Sequence, residues 1–128
     1  MDVIKVFGPV LNERYIYPFS RDFTIEEVCV MFGFRYGPYV FISNLTKVDN
    51  SHPEPIDHFI VTASNVKKAH RDNKGLHLIG YIHTHPPELP EPSQNDIDGM
   101  PNTLLGAVWT PHTLTWYTNN GNISAISL

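Results

Sequence analysis

Two histidines separated by one residue, His83 and His85, are the side chains in this sequence best placed to do chemistry together. Residues 76–84 are apolar and rich in β-forming residues, which predicts a buried strand. Because side chains alternate between the two faces of a strand, both histidines should point the same way, one pleat apart. Two imidazoles on one face at the end of a strand can share one metal ion.

The chain after this strand must turn and then start a helix. Residues 86–92 hold four prolines, which cannot continue a strand. Ser93 then opens a short helix with Asp96 in its first turn. A catalytic zinc ion takes three protein ligands and leaves a fourth position for water. The three would be His83, His85 and Asp96. The alternative for Ser93 and Asp96 is a helix capping box, in which each side chain bonds the other residue's backbone amide.

The spacing of these residues resembles the H-x-H-x(7)-S-x(2)-D motif of the JAMM (MPN+) metalloproteases, the JAB-domain family. Every fixed position of that motif matches, at His83, His85, Ser93 and Asp96. The resemblance covers roughly residues 27–116. It implies a zinc-dependent peptidase or isopeptidase, and the compact length looks like that of the prokaryotic or phage members.

Members of this family also carry an upstream glutamate, commonly in an E-x-C setting that leads into a strand ending in glycine. Glu27, followed by Cys29 and Gly33, is similar to that element. The neighbouring Glu26 points to the opposite face of the predicted strand, so only one of the two can reach the site. The E-x-C match favours Glu27. Cys29 is predicted to be a small core residue, and Thr84 to face away from the metal.

The mechanism that the resemblance implies needs a base and an oxyanion donor. Glu27 would take a proton from zinc-activated water and return it to the leaving amine, and the Ser93 hydroxyl would help stabilise the oxyanion. The substrate would be a protein or peptide, possibly a ubiquitin-like protein cut at its C-terminal tail. The rival function is a non-catalytic MPN-type scaffold or binding module, which usually lacks the ligand set. A zinc deaminase needs a P-C-x-x-C pair, which a chain with one cysteine cannot supply.

Composition narrows the class of protein. The 128 residues are predicted to form one domain, 1–128, and 41% hydrophobic with 17% charged residues indicates a globular chain. The net charge is −4 and no basic cluster exceeds Lys67-Lys68, which argues against nucleic acid as a partner. One cysteine excludes an internal disulfide and fits a reducing, cytoplasmic location. Without a ~20-residue apolar run or a signal-like N-terminus, no membrane association is expected.

The order of the predicted elements indicates an α/β fold with a mixed sheet flanked by helices. Strands are predicted at 1–7, 27–36, 39–44, 58–62, 76–84, 104–109, 113–117 and 122–128, with a loop at 45–56. Helices are predicted to start at Ser64 and Ser93. The family resemblance implies a three-layer, cytidine-deaminase-like version of this architecture. Residues 11–24 show no clear pattern, although the family usually has a helix there, and the oligomeric state is not readable.

Overall fold

Seven strands and two helices occur in the part of the chain that the computed structural model describes, residues 3–11, 19, 26–50, 61–86 and 89–128. In chain order they are β1 (Val3–Phe7), β2 (Val28–Tyr36), β3 (Tyr39–Val48), α1 (Ala63–Asp72), β4 (His77–Thr84), α2 (Gln94–Gly99), β5 (Leu105–Trp109), β6 (Leu114–Thr118) and β7 (Gly121–Ser127). The predicted combination of a mixed sheet with a few helices is confirmed. None of the helices in these ranges is long and apolar enough to cross a membrane.

The strands form one mixed sheet in the order β1-β3-β2-β4-β5-β6-β7. The pairs β1–β3, β1–β7 and β4–β5 are parallel, and the other neighbours are antiparallel. The β1–β7 pair closes the sheet into a barrel, a feature that the strand pattern in the sequence does not reveal. The strand β4, which carries His83 and leads directly into His85, lies between β2 and β5 in the middle of this order.

The two faces of the sheet bury different sets of side chains. One face forms the main core, to which nearly every strand contributes, and it includes Cys29, Met31 and Ile82. The other face is covered by the helices: Val30 and Phe32 pack with Ala69 of α1. Odd-numbered residues of β2 therefore face the main core, and even-numbered residues face the helices, as alternation along a strand requires.

Helix α1 is fixed at both ends by side chains. Its N-cap is Thr62, whose hydroxyl accepts a hydrogen bond from the Asn65 N–H at 3.2 Å, and not the predicted Ser64. At the other end, Asn73 donates to Thr46 Oγ1 of β3 at 2.8 Å and to the Ala69 carbonyl at 2.7 Å. These bonds tie the helix to the sheet.

Two predicted segments differ from the structure or lie partly outside it. The loop predicted at 45–56 begins too early, because β3 continues to Val48 through its pairing with Val28. The strand predicted at 58–62 lies mostly outside the described residues, and residues 61 and 62 are not in a strand. Within 11–24 only Leu11 and Phe19 are described, and the Phe19 ring stacks on Trp109 with 5.6 Å between centroids.

Candidate metal centre

His83, near the end of β4, and His85, the first residue after the strand, both point to the helix-covered face of the sheet. His83 pairs with Val28 of β2 and with Val108 of β5, and its side chain is fully buried. The Nε2 atoms of His83 and His85 lie 3.0 Å apart, and the ring centroids are 4.7 Å apart. The predicted pair of same-face imidazoles is therefore present, with both rings turned toward one point.

Helix α2 brings a carboxylate to the same point. Asp96 Oδ2 lies 2.9 Å from His85 Nε2 and 3.2 Å from His83 Nε2. The capping box is also formed, because Ser93 Oγ accepts from the Asp96 N–H at 3.1 Å and Asp96 Oδ2 accepts from the Ser93 N–H at 2.8 Å. The two interpretations of Asp96 thus coexist. The cap holds its carboxylate in place while the same oxygen meets the imidazoles.

The fourth member of the cluster is Glu26. Its Oε1 lies 3.1 Å from His85 Nε2 and 3.8 Å from His83 Nε2, and the side chain is 1% exposed. One ligand atom from each of Glu26, His83, His85 and Asp96 lies within 4.8 Å of the others. Two nitrogen and two carboxylate oxygen donors so close together form a set that could hold a metal ion.

The prediction that Glu27 faces this cluster is wrong. The Glu27 carboxylate bonds Lys47 Nζ at 2.5 Å, on the opposite face of the sheet. The reason is the register of β2 against β4, in which Val28 pairs with His83. Continued towards the N-terminus of β2, this antiparallel register sets Glu27 opposite Thr84 and Glu26 opposite His85. Glu26 and Glu27 are adjacent, so their side chains point to different faces of the sheet.

The signal that identifies Glu26 is its spacing of two and four residues from Val28 and Val30, because residues two apart on a strand share a face. Val28 and Val30 lie on the helix-covered face. Parity decides between two adjacent glutamates only when the register against β4 is known. The sequence contains the alternation but not the register. The placement of Thr84 agrees with its prediction, because its hydroxyl bonds the Glu27 backbone and faces away from the cluster.

The charges in the cluster support one another. Burial lowers the pKa of His85, but its close contacts with the carboxylates of Asp96 and Glu26 together outweigh burial and raise that pKa to about 9. For Asp96, burial raises the pKa, and the stronger effect of the bonds to His83 and His85 holds it well below its usual range. The carboxylates therefore favour a positive charge at His85, and a bound cation could take the place of that proton.

The buried carboxylate of Glu26 provides a test of whether the residues fit a cation. Within the described part of the chain, neither of its oxygens makes a hydrogen bond of good geometry, although Oε1 lies 3.1 Å from His85 Nε2. Buried carboxylate oxygens normally have partners. A cation, or a water molecule bound to one, would supply them. The two nitrogen and two oxygen ligand atoms, together with the missing hydrogen-bond partners of the Glu26 carboxylate, fit a divalent ion with nitrogen and oxygen ligands.

The comparisons with known proteins agree with this architecture. The family model described as prokaryotic homologs of the JAB domain matches residues 13–126. The chain is similar to the solution structure of protein DSY2949 from Desulfitobacterium hafniense, with a TM-score of 0.68 and 16% identity over 98% of this chain and 92% of that chain. It is also similar to the crystal structure of AF2198, a JAB1/MPN domain protein from Archaeoglobus fulgidus, with a TM-score of 0.50 and 12% identity over 80% of each chain. No curated protein matches the sequence. The family model, which spans most of the chain, shows that this protein belongs to the JAB-domain family as one of its prokaryotic-type homologs.

Proposed function

We propose that this protein is a zinc-dependent hydrolase of peptide or isopeptide bonds. The observation that carries the proposal is the convergence of Glu26, His83, His85 and Asp96, whose ligand atoms lie within 4.8 Å of one another. The JAB-domain family includes metalloproteases and non-catalytic members. A complete set of buried donors supports the catalytic alternative, because a scaffold has no need to keep two carboxylates out of water.

Three of the four residues would hold the ion: His83, His85 and Asp96. The capping box of α2 fixes Asp96, β4 fixes His83, and His85 follows directly after the last residue of β4, so regular structure positions the ligands. When bound, zinc lowers the pKa of a coordinated water towards ~7 and polarises a substrate carbonyl. Three protein ligands leave a position for that water, as catalytic zinc sites require.

Glu26 would act as the general base and acid. Its carboxylate accepts a proton from the attacking water as the water oxygen bonds the carbonyl carbon. The same carboxyl group then donates that proton to the amine nitrogen as the carbon–nitrogen bond breaks. Burial of Glu26 beside His85 supports this role, because the group stands at the cluster and is shielded from bulk water.

Ser93 would donate a hydrogen bond to the oxygen of the scissile carbonyl. Its Oγ accepts from the Asp96 N–H through a lone pair, and the hydroxyl hydrogen is a separate donor. A donor placed at a developing oxyanion contributes roughly 3 kcal/mol in comparable enzymes. The capping bond supports this role, since it holds the Ser93 hydroxyl at the backbone N–H of Asp96, a residue of the cluster.

The substrate class follows from the family and not from a pocket. We propose a protein or peptide substrate that presents an extended tail, with the C-terminal tails of ubiquitin-like proteins as the first set to screen.

Metal content and hydrolysis together test the proposal. Elemental analysis of the purified protein should find about one zinc per chain, and a chelator should abolish cleavage of tail peptides. Removing a ligand present at 100 times its Kd takes away roughly 2.7 kcal/mol of stability. For a chain of this size the melting temperature should then fall by roughly 10 °C. Failure to bind zinc after reconstitution would overturn the proposal, and zinc binding without cleavage of any amide would favour a non-catalytic member.

A further inference from the structure

The hydroxyl of Thr84, the residue between the two histidines, completes the last rung between β2 and β4. The Thr84 N–H donates to the Glu27 carbonyl at 3.0 Å. In return, the Glu27 N–H donates to Thr84 Oγ1, also at 3.0 Å and buried. Paired residues in a regular antiparallel ladder exchange both bonds through their backbones. Here the Thr84 side chain accepts the second bond in place of the Thr84 carbonyl.

The hydroxyl replaces the carbonyl as acceptor at the point where the chain leaves the sheet. Strand β4 ends at Thr84, and the chain turns after His85, whose carbonyl accepts from the Leu89 N–H at 3.1 Å. A backbone acceptor at Thr84 would require the strand to continue straight. The hydroxyl keeps the last rung closed while the chain turns away, so Glu26 and His85 remain opposite each other.

The peptide group between Glu26 and Glu27 is held at both of its polar atoms. Its N–H, which belongs to Glu27, donates to Thr84 Oγ1, and its carbonyl, which belongs to Glu26, accepts from Asn50 Nδ2 at 2.9 Å. The Glu27 side chain adds a third attachment through its ion pair with Lys47. The backbone on the C-terminal side of Glu26 is therefore held by contacts that do not involve the metal-binding cluster.

We propose that Thr84 is a positioning residue that acts through Glu26 and His85. Its hydroxyl fixes the peptide that follows Glu26, and its own backbone leads directly into His85. The Thr84 side chain faces the other side of the sheet and does not contact the metal-binding cluster. This inference rests on the proposed function only where it concerns turnover. The expected effect of Thr84 on metal affinity does not depend on hydrolysis.

Two substitutions separate the hydroxyl from the shape of the side chain. Thr84→Val keeps the shape and removes the acceptor, whereas Thr84→Ser keeps the acceptor. Zinc affinity, measured by competition with a chelator, should fall about 10-fold or more in Thr84→Val and return close to the wild-type value in Thr84→Ser, the size of effect seen when groups that orient metal ligands are removed. The turnover number kcat should likewise fall in Thr84→Val and recover in Thr84→Ser, and KM should change less than kcat.

Two further variants keep the test decisive. Thr46→Val removes a hydroxyl that accepts from Asn73 and lies away from the cluster, so it should lower the melting temperature without changing zinc affinity. If Thr84→Val does not fold, Asn50→Ala releases the other end of the same peptide and should weaken zinc binding in its place. Wild-type zinc affinity and kcat in a folded Thr84→Val protein would overturn the inference. A wild type that binds zinc but cleaves nothing would overturn only the proposed function.

Discussion

Glu26 and His85 face each other across the ends of two antiparallel strands, with Oε1 of the glutamate 3.1 Å from Nε2 of the histidine. The contact places a buried carboxylate beside two imidazoles and a second carboxylate, that of Asp96. It depends on a register in which Val28 pairs with His83, because a shift by one residue would turn Glu26 to the other face. The metal-binding capacity of the site is thus a property of strand pairing as much as of residue type.

Asp96 should prove to be a metal ligand and not only a cap. Asp96→Asn keeps a side-chain oxygen for the Ser93 N–H but removes the charge, so the helix start should survive while zinc binding weakens. The loss should exceed the roughly 10–100-fold that removal of an outer-shell partner causes. Asp98→Asn is the matched control, because Asp98 is exposed and bonds Gln94 on the helix surface. Equal zinc affinity in the two variants, measured by titration, would show that Asp96 only caps the helix.

Gly80 should be required for β4 to lie close to β5. A Cβ at this position would collide with the carbonyl oxygen of Leu105, a backbone atom that cannot rotate away. Gly80→Ala should therefore lower the free energy of unfolding by about 1–3 kcal/mol, the usual effect of overpacking. Gly99→Ala is the control: a Cβ there meets nothing within 4 Å, so stability should stay the same or rise slightly. Urea unfolding of the two variants measures this difference in stability. An unchanged midpoint for Gly80→Ala would contradict the close approach of Gly80 to the Leu105 carbonyl.

The thiol of Cys29 should be unreactive in the folded protein. Cys29 is fully buried, and burial raises the pKa of its thiol to about 12. At pH 8 only about one thiol in 10⁴ would then be ionised, even before access is considered. A chromogenic disulfide reagent should label the protein slowly under native conditions and rapidly in denaturant. Rapid labelling of the native protein would mean that the main core is open at β2.

Much of the fold was predictable because its strands carry clear local signals. The β2–β3 hairpin follows from two apolar runs around Gly37-Pro38, and β4 follows from the β-forming run that ends in the histidines. The closure of the barrel was not predictable. It depends on the parallel pairing of β1 with β7, two segments far apart in the chain. Such pairing is a tertiary property that no local pattern encodes.

The candidate site divides in the same way. His83, His85, Ser93 and Asp96 could be predicted to meet because a strand end, a turn and a capped helix place them locally. The choice between Glu26 and Glu27 could not be made reliably, because it depends on which residue of β2 pairs with which residue of β4. A spacing match to the family selected Glu27, whereas register selects Glu26. The same register explains why Thr84 bonds Glu27 and not the cluster.

Whether Glu26 is the base of a zinc hydrolase is tested most directly by comparing Glu26→Gln with Glu27→Gln at equal zinc loading. We expect both variants to bind about one zinc per chain. Glu26→Gln should lose turnover by roughly 10²–10⁴-fold, the usual contribution of a general base. Glu27→Gln, which weakens the ion pair with Lys47 on the other face of the sheet, should keep most of its activity. Loss of turnover in Glu27→Gln with activity retained in Glu26→Gln would show that Glu26 is not the base.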